Sequence, residues 1–168
     1  MEESLFTGEN DNWTVSGDAV WSIQDGVLIG QLDSGSGFVT TKMPYRDFEL
    51  TLEFMPDSSI NSGVFVRCKQ KMISAEECCE LNIWDLHPNQ NFRTGAAVGR
   101  SEPLAMVQTL NKWNSYKIRA QGGAIAAWVN GEQTVDLRGE IPIEGFIALQ
   151  AAGSGEIRFR NVMLRSIR

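Results

Sequence analysis

Positive charge, long apolar runs and helical periodicity are all scarce in this chain, and each shortage closes off a class of protein. Fifteen lysines and arginines stand against 21 acidic residues, a formal net charge of −6, and the basic residues never gather into a run. A nucleic-acid surface needs a concentrated positive patch, so no nucleic-acid partner is expected. No apolar stretch approaches the ~20 residues of a membrane-spanning helix. The opening MEESLFTGENDNW carries neither the basic nor the apolar region of a secretory signal. The expected location is therefore periplasmic or secreted where a leader has been removed, and cytoplasmic otherwise. Cysteine is also sparse: Cys68, Cys78 and Cys79 are an odd number without the CxxC spacing of a metal site. They read as small residues filling strand positions, with the vicinal pair on opposite faces; if two of them bridged, the third would stay unpaired. The best helical segment is MISAEE, residues 72–77, where Ser74 would cap a short helix with Glu76 and Glu77 in its first turn.

In place of helices there is alternation. DFELTLEFM sets Phe48, Leu50, Leu52 and Phe54 on one face and Glu49, Thr51 and Glu53 on the other, the period-two pattern of a half-buried strand. SYKIRA, GAIAAWVNG, GFIALQAA and GEIRFRNVMLRSI repeat it. Asp25-Gly26, Gly122-Gly123 and Asn130-Gly131 fall between such runs and suit hairpin turns, because these residues tolerate positive φ. About a dozen short strands result, in a chain long enough for one ordinary core, so residues 1–168 are expected to form a single domain. That many antiparallel strands must close or stack. The expected architecture is an all-β, two-sheet antiparallel jelly roll with little helix.

Two strands carry more polar groups than a sandwich needs. In NSGVFVRC (61–68), strict alternation sends Val64, Val66 and Cys68 to the core and Gly63, Phe65 and Arg67 to the opposite face. In ECCELNIWD (77–85), Cys79, Leu81 and Ile83 point inward, so Glu80, Asn82 and Trp84 emerge together, with Asp85 at the exit. If the strands are neighbours, Phe65, Arg67, Glu80, Asn82 and Trp84 share one surface. Aromatic plates among a cation, a carboxylate and an amide suit a saccharide, whose apolar faces stack while its hydroxyls need fixed donors and acceptors. The same pattern also fits a solvated sheet face with an Arg–Glu pair. Trp113, with Ser115, Lys117 and Arg119 on the face opposite Tyr116 and Ile118, is either a sugar platform or a cap packed under a loop, packing being the commoner role. Arg160 is expected to pair with a carboxylate and Asn161 to point inward with Phe159.

Taken in order, LFTG, NWT, W-x-I-x-DGVL-x-G (Trp21 to Gly30), DFELTLEF, NSGVFVR, ELNIWD, Thr94-Gly95, KWN, VNG, GFIALQ and FRNV resemble the 3-keto-disaccharide hydrolase domain family across essentially the whole chain. The resemblance implies a concanavalin A-like, laminin G-like sandwich and activity on glycosides that carry a ketone at C3. Asn61, Ser62, Gly63, Arg67, Glu80 and Asp85 match the family's pattern. Asn82 replaces a longer amide, and Ala151-Ala152 follow Leu149-Gln150 where the family often has a histidine.

A C3 ketone acidifies the proton on C2, so a base can remove it and the aglycone can leave from C1. The resemblance points to Glu80 or Asp85 as base, Arg67 as holder of the oxyanion and His87, the chain's one histidine, as proton shuttle. Asn61, Phe65, Asn82, Trp84 and Gln150 would bind the sugar. A divalent metal held by Glu80, Asp85 and His87 would be an alternative electrophile, and direct two-carboxylate hydrolysis an alternative mechanism. Two further functional readings stand beside the enzyme: a non-catalytic carbohydrate-binding or protein-interaction module, and a subunit whose exposed sheet face meets an identical copy.

Overall fold

The computed structural model describes residues 2–70, 72–139 and 141–167. Its strands are β1 (Glu2–Ser4), β2 (Trp13–Gly17), β3 (Val20–Gln24), β4 (Val27–Leu32), β5 (Ser36–Thr41), β6 (Phe48–Pro56), β7 (Ile60–Cys68), β8 (Cys79–Ile83), β9 (Asn114–Gln121), β10 (Ala124–Val129), β11 (Glu132–Arg138), β12 (Phe146–Gly153) and β13 (Gly155–Ser166). One 3₁₀ turn, Gln90–Phe92, is the only helical element among the described residues. The strands form two antiparallel sheets. One runs β11-β10-β9-β6-β13-β4-β3, with β1 also paired to β13; the other runs β2-β5-β12-β7-β8. This is the two-sheet jelly-roll sandwich expected from the alternation. The turn pairs behave as expected too: Asp25-Gly26 and Asn130-Gly131 both take positive φ and close the β3–β4 and β10–β11 hairpins.

The core lies between the sheets. Phe48, Leu50, Leu52 and Phe54 of β6 are buried against Val64 and Val66 of β7, Cys79, Leu81 and Ile83 of β8, and Ile147 and Leu149 of β12. Burying each Leu, Ile or Phe contributes about 1.5–3 kcal/mol relative to leaving it in water. That driving force is why the period-two pattern fixes which face of each strand looks inward.

Alternation fails at two points, and both have a local cause. Between Phe65 and Cys68, β7 carries one residue more than the β12 segment Phe146–Ala148 that it pairs with. The extra residue makes a bulge, and Arg67 sits in it with φ 56°. The parity shift turns Cys68 away from Val64 and Val66 to the outer side, beside Phe65. It carries the Arg67 guanidinium into the protein, where it is fully buried. Nε donates to Arg46 O at 2.9 Å, Nη1 to Gly122 O and Pro142 O at 2.6 and 2.7 Å, and Nη2 meets Asp47 Oδ1 at 3.2 Å. The β5–β6 connection, the β9–β10 turn and the segment before β12 are thereby clamped to one cation. Gly145 lies so close that a Cβ there would come within 2.3 Å of the Arg67 carbonyl carbon. The second exception is Asn161, whose φ of 52° accompanies a register shift in β13. It points outward to Glu53 instead of inward beside Phe159.

Two further expectations are corrected. Residues 74–78 form a turn in which Ser74 Oγ accepts the Glu77 N–H at 3.1 Å, and no helix follows. Cys68 and Cys78 are joined in a disulfide across the β7–β8 connection, and only Cys79 fills a strand position as a free thiol. Burial pushes that thiol up to about 11, so it is inert in the core.

Candidate functional site

The outer face of the five-stranded sheet is built from rows of cross-strand neighbours. One row reads Ser16, Phe38, Gln150, Gly63, Asn82; the next reads Thr14, Thr40, Ala148, Phe65, Glu80. Neighbours in such rows stand about 4.5–5.5 Å apart at Cβ. Asn61 pairs with Ala152 in a third row, on the far side of Gln150 and Gly63. Phe65 is the floor of this face: its ring meets Phe38 edge-on at 5.6 Å, and around it lie Ala148, Phe146, Ile73 and the Cys68–Cys78 disulfide.

Three amide oxygens on this face are buried without a hydrogen-bond partner: Asn61 Oδ1, Asn82 Oδ1 and Gln150 Oε1. The orientation of Asn82 is fixed, because its Nδ2 donates to Phe92 O at 2.6 Å. Gly63 lies between Asn82 and Gln150 in the same row, and the space a side chain would occupy there opens toward Asn82 Oδ1, 3.7 Å from an ideal Cβ. An unpaired buried acceptor costs about 1–3 kcal/mol. Three of them on adjacent strands concentrate unmet acceptor capacity within this part of the sheet.

Glu80 stands beside Phe65, its side chain making no hydrogen bond or ion pair among the described residues, and burial pushes its carboxyl up to about 7. At neutral pH it exists as a mixture of acid and base, the condition in which a carboxyl transfers protons both ways.

The other sequence candidates are placed differently. Arg67 is held in its clamp and is not on this face. Asp85 is buried and saturated: Oδ1 accepts the hydroxyls of Thr94 and Thr109 at 2.5 and 2.7 Å, Oδ2 accepts the Thr109 N–H at 2.6 Å, and Arg93 Nη2 lies 3.9 Å away. It ties the loop after β8 to the segment before β9. Trp84 leaves β8 with its ring 4.2 Å from that of His87, and His87 in turn meets Phe92 at 5.6 Å. His87 Nδ1 accepts the Asn89 N–H at 2.9 Å, and burial lowers its basicity. These rings form an aromatic wall on the loop whose Phe92 carbonyl anchors Asn82. Glu80, Asp85 and His87 do not assemble a metal site: Asp85 is held by Thr94 and Thr109, and no group of three His, Cys, Asp or Glu side chains among the described residues is arranged to hold an ion. Ala151 faces the core and Ala152 the outer face beside Asn61, so no imidazole reaches the face from β12. Phe38 and Ala148 were not legible as members of the site, since only the non-local register of β5, β12 and β7 brings them there.

A recess of about 810 Å³, lined by Asp18, Asp33, Asp57 and Glu156 among others, shares no lining residue with this face. Three of its four carboxylates are already employed: Asp18 accepts the Ser36 N–H, Asp57 those of Ser59, Ile60 and Glu156, and Glu156 pairs with Arg158. The open face with its orphan acceptors and its unpartnered carboxyl is the better candidate.

Comparison with known proteins agrees with the architecture. Residues 2–165 match the 3-keto-alpha-glucoside-1,2-lyase-like domain family, and the chain belongs to that family. Among solved structures, it is similar to a protein from Parabacteroides distasonis ATCC 8503 described as a candidate glycosyl hydrolase. The two share 28% identity and a TM-score of 0.85, over 99% of this chain and 100% of that one. The carbohydrate binding module CBM66 from Bacillus subtilis shares the fold at 16% identity, TM-score 0.68, over 92% of this chain and 96% of its own. So does the VIP36 exoplasmic/lumenal domain solved with Ca²⁺ and Man3GlcNAc, at 11% identity, TM-score 0.64, covering 94% and 84%. No curated protein matches by sequence.

Proposed function

We propose that this chain binds a neutral 3-keto-glycoside on the outer face of the five-stranded sheet and cleaves it with Glu80 as the proton-transfer group. The observation that carries the reading is one carboxyl, raised to about 7 and without a protein partner, beside three orphan amide oxygens. Sugar hydroxyls supply the donors those oxygens need, and the Trp84–His87–Phe92 wall offers apolar contact for the ring faces, whereas Phe65 is buried beneath the face and contributes packing only. Membership of a 3-keto-alpha-glucoside-1,2-lyase-like family supports this choice of substrate class.

In the reaction the Glu80 carboxylate takes the C2 proton. The C–H electron pair becomes the enolate of the C3 ketone and then the C1–C2 double bond, as the C1–O bond to the aglycone breaks. The aglycone leaves with a proton, returned by the Glu80 carboxylic acid or by water. Addition of water across the new double bond completes hydrolysis; without it the protein is a lyase. A lone carboxyl suffices for this elimination, whereas direct hydrolysis needs a second one across the bond. Asp85, locked by Thr94 and Thr109, does not supply it.

A second reading, saccharide binding without turnover, is favoured by one observation: Arg67, the cation expected to hold the oxyanion, is buried in its own clamp away from the face. A turnover assay on 3-keto-glycosides, with the parent glycosides as controls, separates the two. The enzyme reading expects aglycone release from the keto-sugars alone and a loss of about 10²–10⁴-fold in Glu80→Gln. Binding without release, or release unchanged in Glu80→Gln, overturns it.

A further inference from the structure

The opposite outer face, on the eight-stranded sheet, carries a feature that this function does not use. Along most of that face the long side chains neutralise one another. Glu49 lies between Lys117 and Arg165, Glu53 receives Arg160 and Asn161, and Arg158 meets Glu156. Trp113 is capped there by the Arg160 guanidinium, 3.8 Å from its ring centroid.

At the β9-β10-β11 end the pattern changes. The outward positions of β10 are Ala124 and Ala126, which leave a trough of about 280 Å³ along the middle strand. Alanine is disfavoured in strands because it packs so little of the pleated surface, so a floor of two alanines gives up strand stability in exchange for space. Long side chains wall it on both sides. Gln121 and Arg138 flank Ala124, while Arg119 and Asp136 flank Ala126. Trp128 closes one end, with Lys117 Nζ 5.4 Å from its ring centroid. Neither Arg119, Arg138 nor Asp136 makes an ion pair or side-chain hydrogen bond among the described residues. Two unpaired guanidiniums thus straddle the alanine floor from strands about 10 Å apart, on a protein whose net charge is −6.

We infer that this trough is a second saccharide site, distinct from the Glu80 face, and that it takes an acidic sugar of the uronate class. A guanidinium fork matches a carboxylate bidentately. The indole supplies a plate for a pyranose ring, and Gln121 and Asp136 accept from ring hydroxyls. Asp136 inside the same trough selects against densely charged chains and for one carboxylate per ring. The floor from Ala124 to Trp128 spans about 14 Å, room for a short oligosaccharide.

The test is calorimetric titration of the intact protein with trigalacturonic acid and with its fully methyl-esterified, neutral counterpart. The acid is expected to bind, the ester at least tenfold more weakly, and the affinity to fall as salt is raised. The double variant Arg119→Gln/Arg138→Gln, both surface changes whose folding is checked by circular dichroism, should also lose at least tenfold, while Glu80→Gln binds the acid like the parent protein. No binding of the acid, equal binding of acid and ester, an unaffected double variant, or a loss that follows Glu80→Gln would each overturn the inference. None of these results depends on whether the Glu80 face turns over its own substrate.

Discussion

Glu80 can be titrated twice, once through stability and once through rate, and the two readouts run in opposite directions. Its carboxyl is raised from an ordinary 4.5 to about 7 by burial. Between those values the unfolded chain has released the proton while the folded protein still holds it, so unfolding gains free energy as pH rises across the window. The parent protein should therefore lose stability from pH 4.5 to 7 and remain lower above it. Glu80→Gln, which has no proton to lose, should match the parent at pH 4 and exceed it by about 1–3 kcal/mol at pH 8, measured by urea unfolding. Turnover on a 3-keto-glycoside should do the reverse, rising through a midpoint near 7 as the base form appears. A parent protein equally stable relative to Glu80→Gln at both pH values would show that the carboxyl is solvated and ordinary.

At the scale of elements, the β7–β8 pair shows what alternation can and cannot say. The inward faces of β6, β8 and β9 were legible, because one residue in two is apolar and each strand keeps its parity from end to end. The outward placing of Glu80 and Asn82 followed from the same count. Arg67 and Cys68 were not legible. A single inserted residue opposite Phe146–Ala148 reverses parity, and that insertion is defined by the partner strand, not by NSGVFVRC itself. The disulfide escaped for the same reason: Cys68 and Cys78 meet only because the bulge turns Cys68 outward beside the incoming end of β8. The row Gln150-Gly63-Asn82 joins neighbours 87 and 19 residues apart along the chain, and no local pattern encodes such a register. The disulfide closes the 69–77 connection against Phe65, and by loop-closure entropy a ring of that size stabilises by about 2–3 kcal/mol. Cys68→Ser/Cys78→Ser should lower stability by that amount in guanidinium titrations run without reductant, and the parent protein should fall to the same level when reductant is added. If reductant leaves the parent unchanged, the bridge contributes nothing to stability.

For the whole molecule, the sandwich sets two polar faces back to back and commits its apolar side chains to the space between. The family points to a carbohydrate-related protein, and the two proposed sites lie on opposite outer faces, one around Glu80 and one around Ala126. The free edge of the five-stranded sheet would ordinarily be its loosest margin, and β8, which carries Glu80 and Asn82, lies at that edge. It is not left bare. The Asn82 N–H donates to Ala96 O, the N–H groups of Gly95 and Val98 donate to Asn82 O and Glu80 O, and the Tyr116 hydroxyl crosses the core to Asn82 O at 3.2 Å. The site strand is therefore bonded on both sides, like an interior one. In deuterated water its amides should exchange through global unfolding, with protection close to that of β7 and far above that of β2 at the opposite edge. Rapid exchange at Asn82 and Val98 would mean that the cover opens on its own, and that the ligand face is assembled from a segment that breathes.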